Sequence, residues 1–562
     1  MQRQLLLLAL AAPVAAQDVL PFPARMESAQ PIGEIFELEQ DPELLQALTS
    51  LEQVTLLDAP LPVGAAVDLR LERLRFDPRS VGVQVNGSPA TYDPGDLTLW
   101  KGSVVGMEYS RVFLALSSHG SYGWIHDGLD TTHVSSFAGE GGDWSRAGMR
   151  LYSNRALEAV PSEVRGPICL NDELGIGGIP TVDPHLVDPP VEGAAAPLEC
   201  KMAIETDYQL WKIWSNLQAE QNYVMALIGA VSDRFEEQLD VVITYPYVQF
   251  YNHKGDPWSS QDSGGGAGDL LNEFRSAWAG NIPAGGHLAH FLSGAGLGGG
   301  VAWVDTICSD QYGFAVSGNI NGGVSFPVTQ GSNTWDFFVM SHEAGHNFGS
   351  PHTHDYCPPL DECAPNCNGT TQCTTQGTNM SYCHGCSGGM TNITTYFHPT
   401  AASLMRGRAE ASCLPDWAPG TPVVLFSEDF ESGSLAAGGW TTGVQSPQVQ
   451  DKAARYGTYG VRIRNKRWME KTLDTTGYQN ITIQLWRRTK NYEALEELRI
   501  RIHDGAGWTT LERANNPDWG IVTFDLPSSA SNNPNLRIRL RSSGSEGRER
   551  GDVDDLVVTG EV

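Results

Sequence analysis

Apolar and polar positions alternate through much of the first third of the chain. AVDLRLERLRF (residues 66–76) and RVFLALSS (residues 111–118) are such segments, broken by Gly, Pro and Asp turns. Alternation of this kind turns one face of a strand to a core and the other to solvent, so residues 17–197 read as strand-rich. The texture changes at Lys201. KMAIETD (201–207) and VVITYPYVQF (241–250) read as strands, and residues 217–239 between them carry apolar positions at helical spacing. DLLNEFRSAW (269–278) suggests a second helix, HLAHFLSG (287–294) and GGVAWVDTIC (299–308) two more strands, and residues 335–346 another helix-like run. Interleaving of this type predicts an α/β domain, a mixed sheet backed by helices. A last helix-like run, 401–411, is followed by the break DWAPGTP (416–422). Beyond it VVLFSEDFE, NITIQLWRR, LRIRIHD, LRIRLRSS and DDLVVTG predict an all-β, jelly-roll-like sandwich.

Length and the two ends refine this division. At 562 residues the chain exceeds what one core supports. Its start, MQRQLLLLALAAPVAAQDV, has one arginine, a short apolar run and Val14 and Ala16 placed for cleavage before Gln17. This is the pattern of a secretory signal peptide, shorter than the ~20 apolar residues a membrane span needs. No later stretch is long enough to span, so the expectation is a secreted, extracellular protein. The boundaries expected are a signal peptide at 1–16, a strand-rich region at 17–197 with a Pro/Gly-rich linker from about 176, an α/β domain at 198–416, a linker at 417–422 and a sandwich at 423–562.

The net charge of −29 argues against nucleic acid or an anionic membrane as partner. All ten cysteines fall between Cys169 and Cys413, and export makes disulfides the default for them. From Cys200 to Cys413 there are nine, so one is a thiol or pairs with Cys169. The cysteine-dense stretch from Cys357 to Cys386 is expected to be held by cross-links. Cys383 and Cys386 could also mark a second zinc site or a redox pair, a reading the exported context disfavours.

Chemistry concentrates in HEAGHNFGSPH, residues 342–352. His342 and His346, four apart on a helix, project their imidazoles from one face toward a shared metal ion. Gly349 suits a left-handed helix end that brings His352 round as third ligand. Three neutral histidines leave zinc its charge and an open position where a water is acidified. Glu343, beside a ligand, is placed to take that water's proton.

HEAGHNFGSPH resembles the metzincin motif HExxHxxGxxH, and GTNMSYCH (377–384) resembles the Met-turn of that clan. Within metzincins the chain is most similar to the reprolysin group, which includes the adamalysins, on the strength of GGVAWVDTIC and of Cys308, Cys357 and Cys413. The likeness is good from about Cys200 to Pro415, looser for the strand-rich region before it, and does not extend to the C-terminal region. It implies a zinc metalloendopeptidase with His342, His346 and His352 as ligands, Glu343 as catalytic base and Met380 as a hydrophobic floor. It also implies that residues 300–303 form an edge strand to which a peptide substrate adds, and that Cys308 pairs with Cys413. The strand-rich region could be a structural module, but its position between a signal peptide and a protease-like domain makes it read as a propeptide. The chain departs from the group in Tyr382, two residues after Met380, whose role is open between packing and the zinc position. Cys169, in GPICLND, could fill the open zinc position in a zymogen, or pair with Cys200.

The appended sandwich resembles jelly-roll modules of exported enzymes, which implies binding of carbohydrate or protein surfaces. Its acidic ends, with Glu428, Glu431, Asp554 and Asp555, could hold calcium or form a solvated rim. Two alternatives stand beside the metzincin reading. One is a gluzincin-type zinc hydrolase taking a downstream glutamate such as Glu362 as third ligand; the other is an adhesion or matrix-binding protein with a protease-like scaffold.

Overall fold

The structure, a computed structural model, describes residues 18–26, 35–49, 51–90, 92–153, 168–171, 182, 184, 187, 197–323, 333–373, 376–417, 423–455, 458–476, 478–493 and 496–561. The expected signal peptide and most of the expected linker lie outside these residues. The chain forms two compact units, divided after Trp417.

The first unit contains two sheets. The N-terminal one has ten strands, from Asp18–Pro21 through Gln53–Ala59, Val67–Arg73, Thr98–Val104, Arg111–Leu116, Tyr122–His126, Thr131–Phe137, Gly148–Ser153 and Ile35–Gln40 to Ala24–Met26. Leu69, Leu71, Trp100, Leu114 and Leu151 fill the core on one side. The other side is also buried: Phe113, Ala115, Tyr122 and Trp124 belong to the core of the second sheet and its helices. Arg111–Leu116 is therefore buried on both faces after Arg111, and its continuous apolar run reflects two packed layers.

The second sheet is mixed, as the interleaved pattern predicts. It contains β1 (Leu198–Thr206), β2 (Val241–Phe250), β3 (Leu288–Leu292), β4 (Gly299–Ala302) and β5 (Phe314–Ser317) in the order β4-β5-β3-β1-β2. Only the β4–β5 pair among these is antiparallel. The N-terminal region extends both ends of the sheet: Val83–Val85 pairs with β2 and Ile168–Cys169 with β4. β4 is shorter than residues 299–308 suggest, because Asp305 and Cys308 take left-handed φ of 58° and 64° and turn the chain away.

Four helices matter for the site: α1 (Leu217–Leu239), α2 (Ala267–Trp278), α3 (Asn333–Asn347) and α4 (Pro399–Glu410). α1 starts where the Asn216 side chain accepts the Ala219 N–H and stops at Asp240, which is left-handed at φ 52°. It is buried almost all round because the N-terminal sheet covers its far side; a Cβ at Gly229 would meet Leu99 at 2.8 Å. Trp124 packs on Phe337 of α3 at 5.0 Å between ring centroids, so the N-terminal sheet also supports the site helix.

Four disulfides are present: Cys308–Cys413, Cys357–Cys367, Cys363–Cys383 and Cys373–Cys386. Cys383 and Cys386 are thus both structural, and Cys169 and Cys200 do not pair with each other. No helix among the described residues is long and apolar enough to cross a membrane.

The second unit is a sandwich of two antiparallel sheets. One contains Gln448–Gln450, Gly460–Arg464, Arg550–Glu561, Gln479–Lys490 and Gly520–Asp525, with Val423–Glu428 also on Arg550–Glu561. The other contains Thr441–Thr442, β6 (Trp468–Leu473), β7 (Leu498–His503), β8 (Trp508–Ala514) and β9 (Leu536–Ser542), in the order Thr441–Thr442, β6, β9, β7, β8. Ile463, Ile483, Leu485, Ile500, Ile538 and Leu540 fill the space between them.

Candidate metal centre

α3 is buried from Trp335 onward, which fixes its rotation within the core. Asp336 anchors its start by accepting the N–H groups of Asn321 and Gly322 and the hydroxyl of Tyr223. Just past the helix, Gly349 is left-handed at φ 94° and its N–H returns to the His346 carbonyl. The chain then reverses and carries His352 back to the helix. Imidazole centroids lie 4.8 Å apart for His342–His346, 4.6 Å for His346–His352 and 5.3 Å for His342–His352.

Each imidazole is held through its Nδ1. His342 donates to the Asn379 carbonyl at 2.5 Å, His346 to the Ser350 carbonyl at 2.8 Å, and His352 to the Asp355 carboxylate at 3.2 Å. With the proton fixed on Nδ1, the Nε2 lone pairs are left to converge. Nε2 of His346 and His352 are 3.1 Å apart, and Nε2 of His342 is buried with no hydrogen-bond partner. Burial, then the charges of His346 and His352, hold the His342 imidazole well below its usual range, so it is neutral. This donor set fits zinc. Glu362 is not part of it: the group of converging donors is Cys169, His342, His346 and His352, all within 4.8 Å of one another.

Glu343 follows the first ligand on the same helix, fully buried. Its Oε1 has no hydrogen-bond partner, and its Oε2 lies 3.7 Å from the Cys169 sulfur. Burial pushes its carboxyl up to about 8, with the Cys169 thiol and His352 pulling the other way. β4 crosses directly over it, so a Cβ at Gly300 would stand 2.5 Å from the Glu343 Oε1. Below the histidines, Met380 is fully buried with its sulfur against Gly345, where a Cβ would sit 2.6 Å away.

The open side of the cluster is covered by residues 168–171. Ile168–Cys169 pairs parallel with β4, opposite Gly299 and Gly300. Asn171 closes the contact in both directions, donating to the Ala302 carbonyl at 2.9 Å and accepting its N–H at 3.0 Å. The Cys169 sulfur reaches within 3.5 Å of His346 Nε2, and the Tyr382 hydroxyl donates to the Cys169 carbonyl at 2.9 Å. Tyr382 also packs on His352 at 4.4 Å between centroids. Asn171 and Asp355 are the site residues that sequence reasoning passes over.

In the second unit, Glu428 accepts the Phe430 N–H at 2.9 Å and the Trp440 indole at 2.8 Å, and Glu431 accepts two backbone N–H groups. Asp554 accepts the Arg455 N–H at 2.5 Å. Burial, followed by the charges of Asp429 and Glu431, raises the Asp555 carboxyl.

No curated protein matches the chain. Among solved structures it is similar to metalloproteinase-II from Bacteroides fragilis, at 13% identity and a TM-score of 0.34, over 60% of this chain and 89% of that one. It is also similar to the CBM22-1 xylan-binding domain of Paenibacillus barcinonensis Xyn10C, at 14% identity and a TM-score of 0.21, over 26% of this chain and 98% of that one. Residues 196–396 match the family Reprolysin_5, described as metallo-peptidase family M12. That match spans the three histidines, Glu343 and Met380, and the region it covers is accordingly a reprolysin-like metallopeptidase domain of family M12.

Proposed function

We propose that the chain is an exported zinc metalloendopeptidase made as a zymogen, with His342, His346 and His352 as zinc ligands and Glu343 as general base. The observation that carries this is the convergence of three Nε2 atoms, each histidine fixed through Nδ1, beside a buried carboxylate with an unsatisfied oxygen. Bound there, zinc supplies Lewis acidity for a water and for the scissile carbonyl. Glu343 takes the proton from the attacking water and delivers it to the leaving amine. The backbone of β4 receives an extended peptide as an added strand, the place residues 168–171 now hold.

On this reading the covering segment is the latency device. Cys169 fills the open ligand position, and the parallel pairing with β4 keeps the segment seated. Cleavage in the linker and release of residues 17–197 then frees the edge strand and the Tyr382 hydroxyl. Four disulfides and the N-terminal apolar run support export.

The second unit is read as an accessory module for carbohydrate or protein surfaces. Calcium at its acidic end, held through Glu428, Glu431, Asp554 or Asp555, is part of this reading. A calcium-dependent rise in melting temperature, absent in Asp555→Asn, tests that part.

The test of the peptidase reading is hydrolysis of unfolded protein by the chain after removal of its N-terminal region. Cleavage that stops with a zinc chelator and is absent in Glu343→Ala supports it. Equal behaviour of wild type and Glu343→Ala leaves the adhesion-scaffold alternative standing.

A further inference from the structure

The sandwich carries a charged face that the peptidase reading does not use. On β7 and β9 the residues Leu498, Ile500, Ile502, Leu536, Ile538 and Leu540 are buried, so the alternate positions share the outer face. These are Arg499, Arg501 and His503 on β7 and Arg537, Arg539 and Arg541 on β9. The register sets Arg499 directly opposite Arg541 and Arg501 directly opposite Arg539, and on β8 Arg513 is opposite Arg499. Like charges directly opposed across antiparallel strands destabilise the pair.

Two glutamates offset part of this charge. Glu470 meets Arg537 at 3.5 Å and Arg539 at 2.5 Å, and Glu497 meets Arg513 at 2.5 Å and also Arg499. Arg501 and Arg541 form no ion pair among the described residues, and the Arg501 Nε is buried with no hydrogen-bond partner. Burial, followed by the charges of Arg539, Arg499, Arg541 and Arg513, holds the Arg501 guanidinium below its usual range. A chain with a net charge of −29 thus concentrates six arginines on one sheet face.

Two indoles frame the arginines. The guanidinium carbons of Arg539, Arg537 and Arg501 lie 4.0, 5.2 and 5.3 Å from the Trp508 ring centre, and that of Arg539 lies 4.7 Å from Trp468. Stacking uses the guanidinium faces and leaves the N–H edges for acceptors in their plane, the geometry that carboxylate and sulfate groups satisfy. We propose that this face binds an acidic polysaccharide through its carboxylate or sulfate groups. A platform for single-stranded nucleic acid needs open aromatic faces for the bases, and here guanidinium groups already cover the indoles. The inference rests on the accessory-module reading and adds the sign of the ligand's charge.

The test uses the full chain in affinity electrophoresis through gels holding heparin, polygalacturonate, neutral dextran or single-stranded DNA. Retardation by heparin or polygalacturonate, lost as salt rises, is expected, and the two gels separate sulfate from carboxylate recognition. Arg501→Gln/Arg541→Gln should weaken retardation about tenfold or more while leaving the melting temperature without polysaccharide unchanged or higher. Arg513→Gln, at a side chain 57% exposed, gives a second variant with little structural consequence and should weaken retardation in the same direction. Retardation equal in wild type and both variants, preference for DNA, or a lower melting temperature of the double variant overturns the proposal. Retardation by dextran alone also overturns it, while upholding the accessory-module reading.

Discussion

The sulfur of Cys169 lies 3.5 Å from Nε2 of His346, across a sequence separation of 177 residues. Both side chains are buried, and the sulfur stands with the three imidazoles as a fourth donor. If this contact keeps the chain latent, Cys169→Ala gives an uncleaved protein that hydrolyses a quenched peptide at least about tenfold faster than wild type, a shift of ~1.4 kcal/mol or more in the closed state. Equal rates before linker cleavage would remove Cys169 from the latency reading.

Asn171 tests the same segment without touching the histidines. Its side chain makes two hydrogen bonds to the Ala302 backbone, worth about 1–3 kcal/mol together. Asn171→Ala should weaken inhibition in trans by the isolated N-terminal region by about 5- to 100-fold. The inhibition constant against the cleaved enzyme measures it.

His352→Ala and Glu343→Ala should separate binding from chemistry. Loss of His352 removes one of three converging nitrogens, so bound zinc per chain falls. Loss of Glu343 leaves the nitrogens in place, so zinc stays stoichiometric while kcat drops by about 10²- to 10⁴-fold. Metal analysis of both purified variants, beside their rates, decides; full zinc in His352→Ala reopens the choice of third ligand.

Glu205 predicts a pH dependence of stability. It is buried on β1, where its Oε1 accepts the Trp258 indole at 2.9 Å. Burial pushes its carboxyl from about 4.5 to about 8, with Trp258 and Tyr251 both pulling it down. Between these values the folded chain keeps a proton that the unfolded chain has lost, so this residue's contribution falls as pH rises. Glu205→Gln mimics the protonated form and should gain on wild type through that window, by a few kcal/mol in all, with no further gain above about pH 8. Urea unfolding of both proteins at pH 5, 7 and 9 gives the comparison.

The Cys308–Cys413 disulfide closes a loop of 105 residues that contains α3 and the cysteine-dense stretch. Replacing both cysteines by serine should lower stability by about 4–5 kcal/mol on the chain-entropy account. The unfolding midpoint in urea, with the other disulfides kept oxidised, measures the loss.

Local order is what the sequence by itself determined. The bounds of α1 follow from Asn216 and Asp240, the shared face of His342 and His346 from helical spacing, and the return of His352 from a left-handed Gly349. LRIRIHD and LRIRLRSS place arginines at alternate positions of strands for the same reason, a period of two. Tertiary structure decided whatever depends on which distant segments meet. RVFLALSS is buried on both faces after Arg111 because α1 lies against it, as where the Asn222 amide donates to the Ser117 hydroxyl, a contact no window of sequence contains. Cys169 reaches the histidines, and not Cys200, because Ile168–Cys169 extends the sheet at β4. Register set Arg501 opposite Arg539, turning two ordinary amphipathic strands into one basic face within an acidic chain. Periodicity acts over a few residues through fixed backbone geometry; pairing across 100 residues or more is set by the packing of whole layers, which residue spacing does not encode.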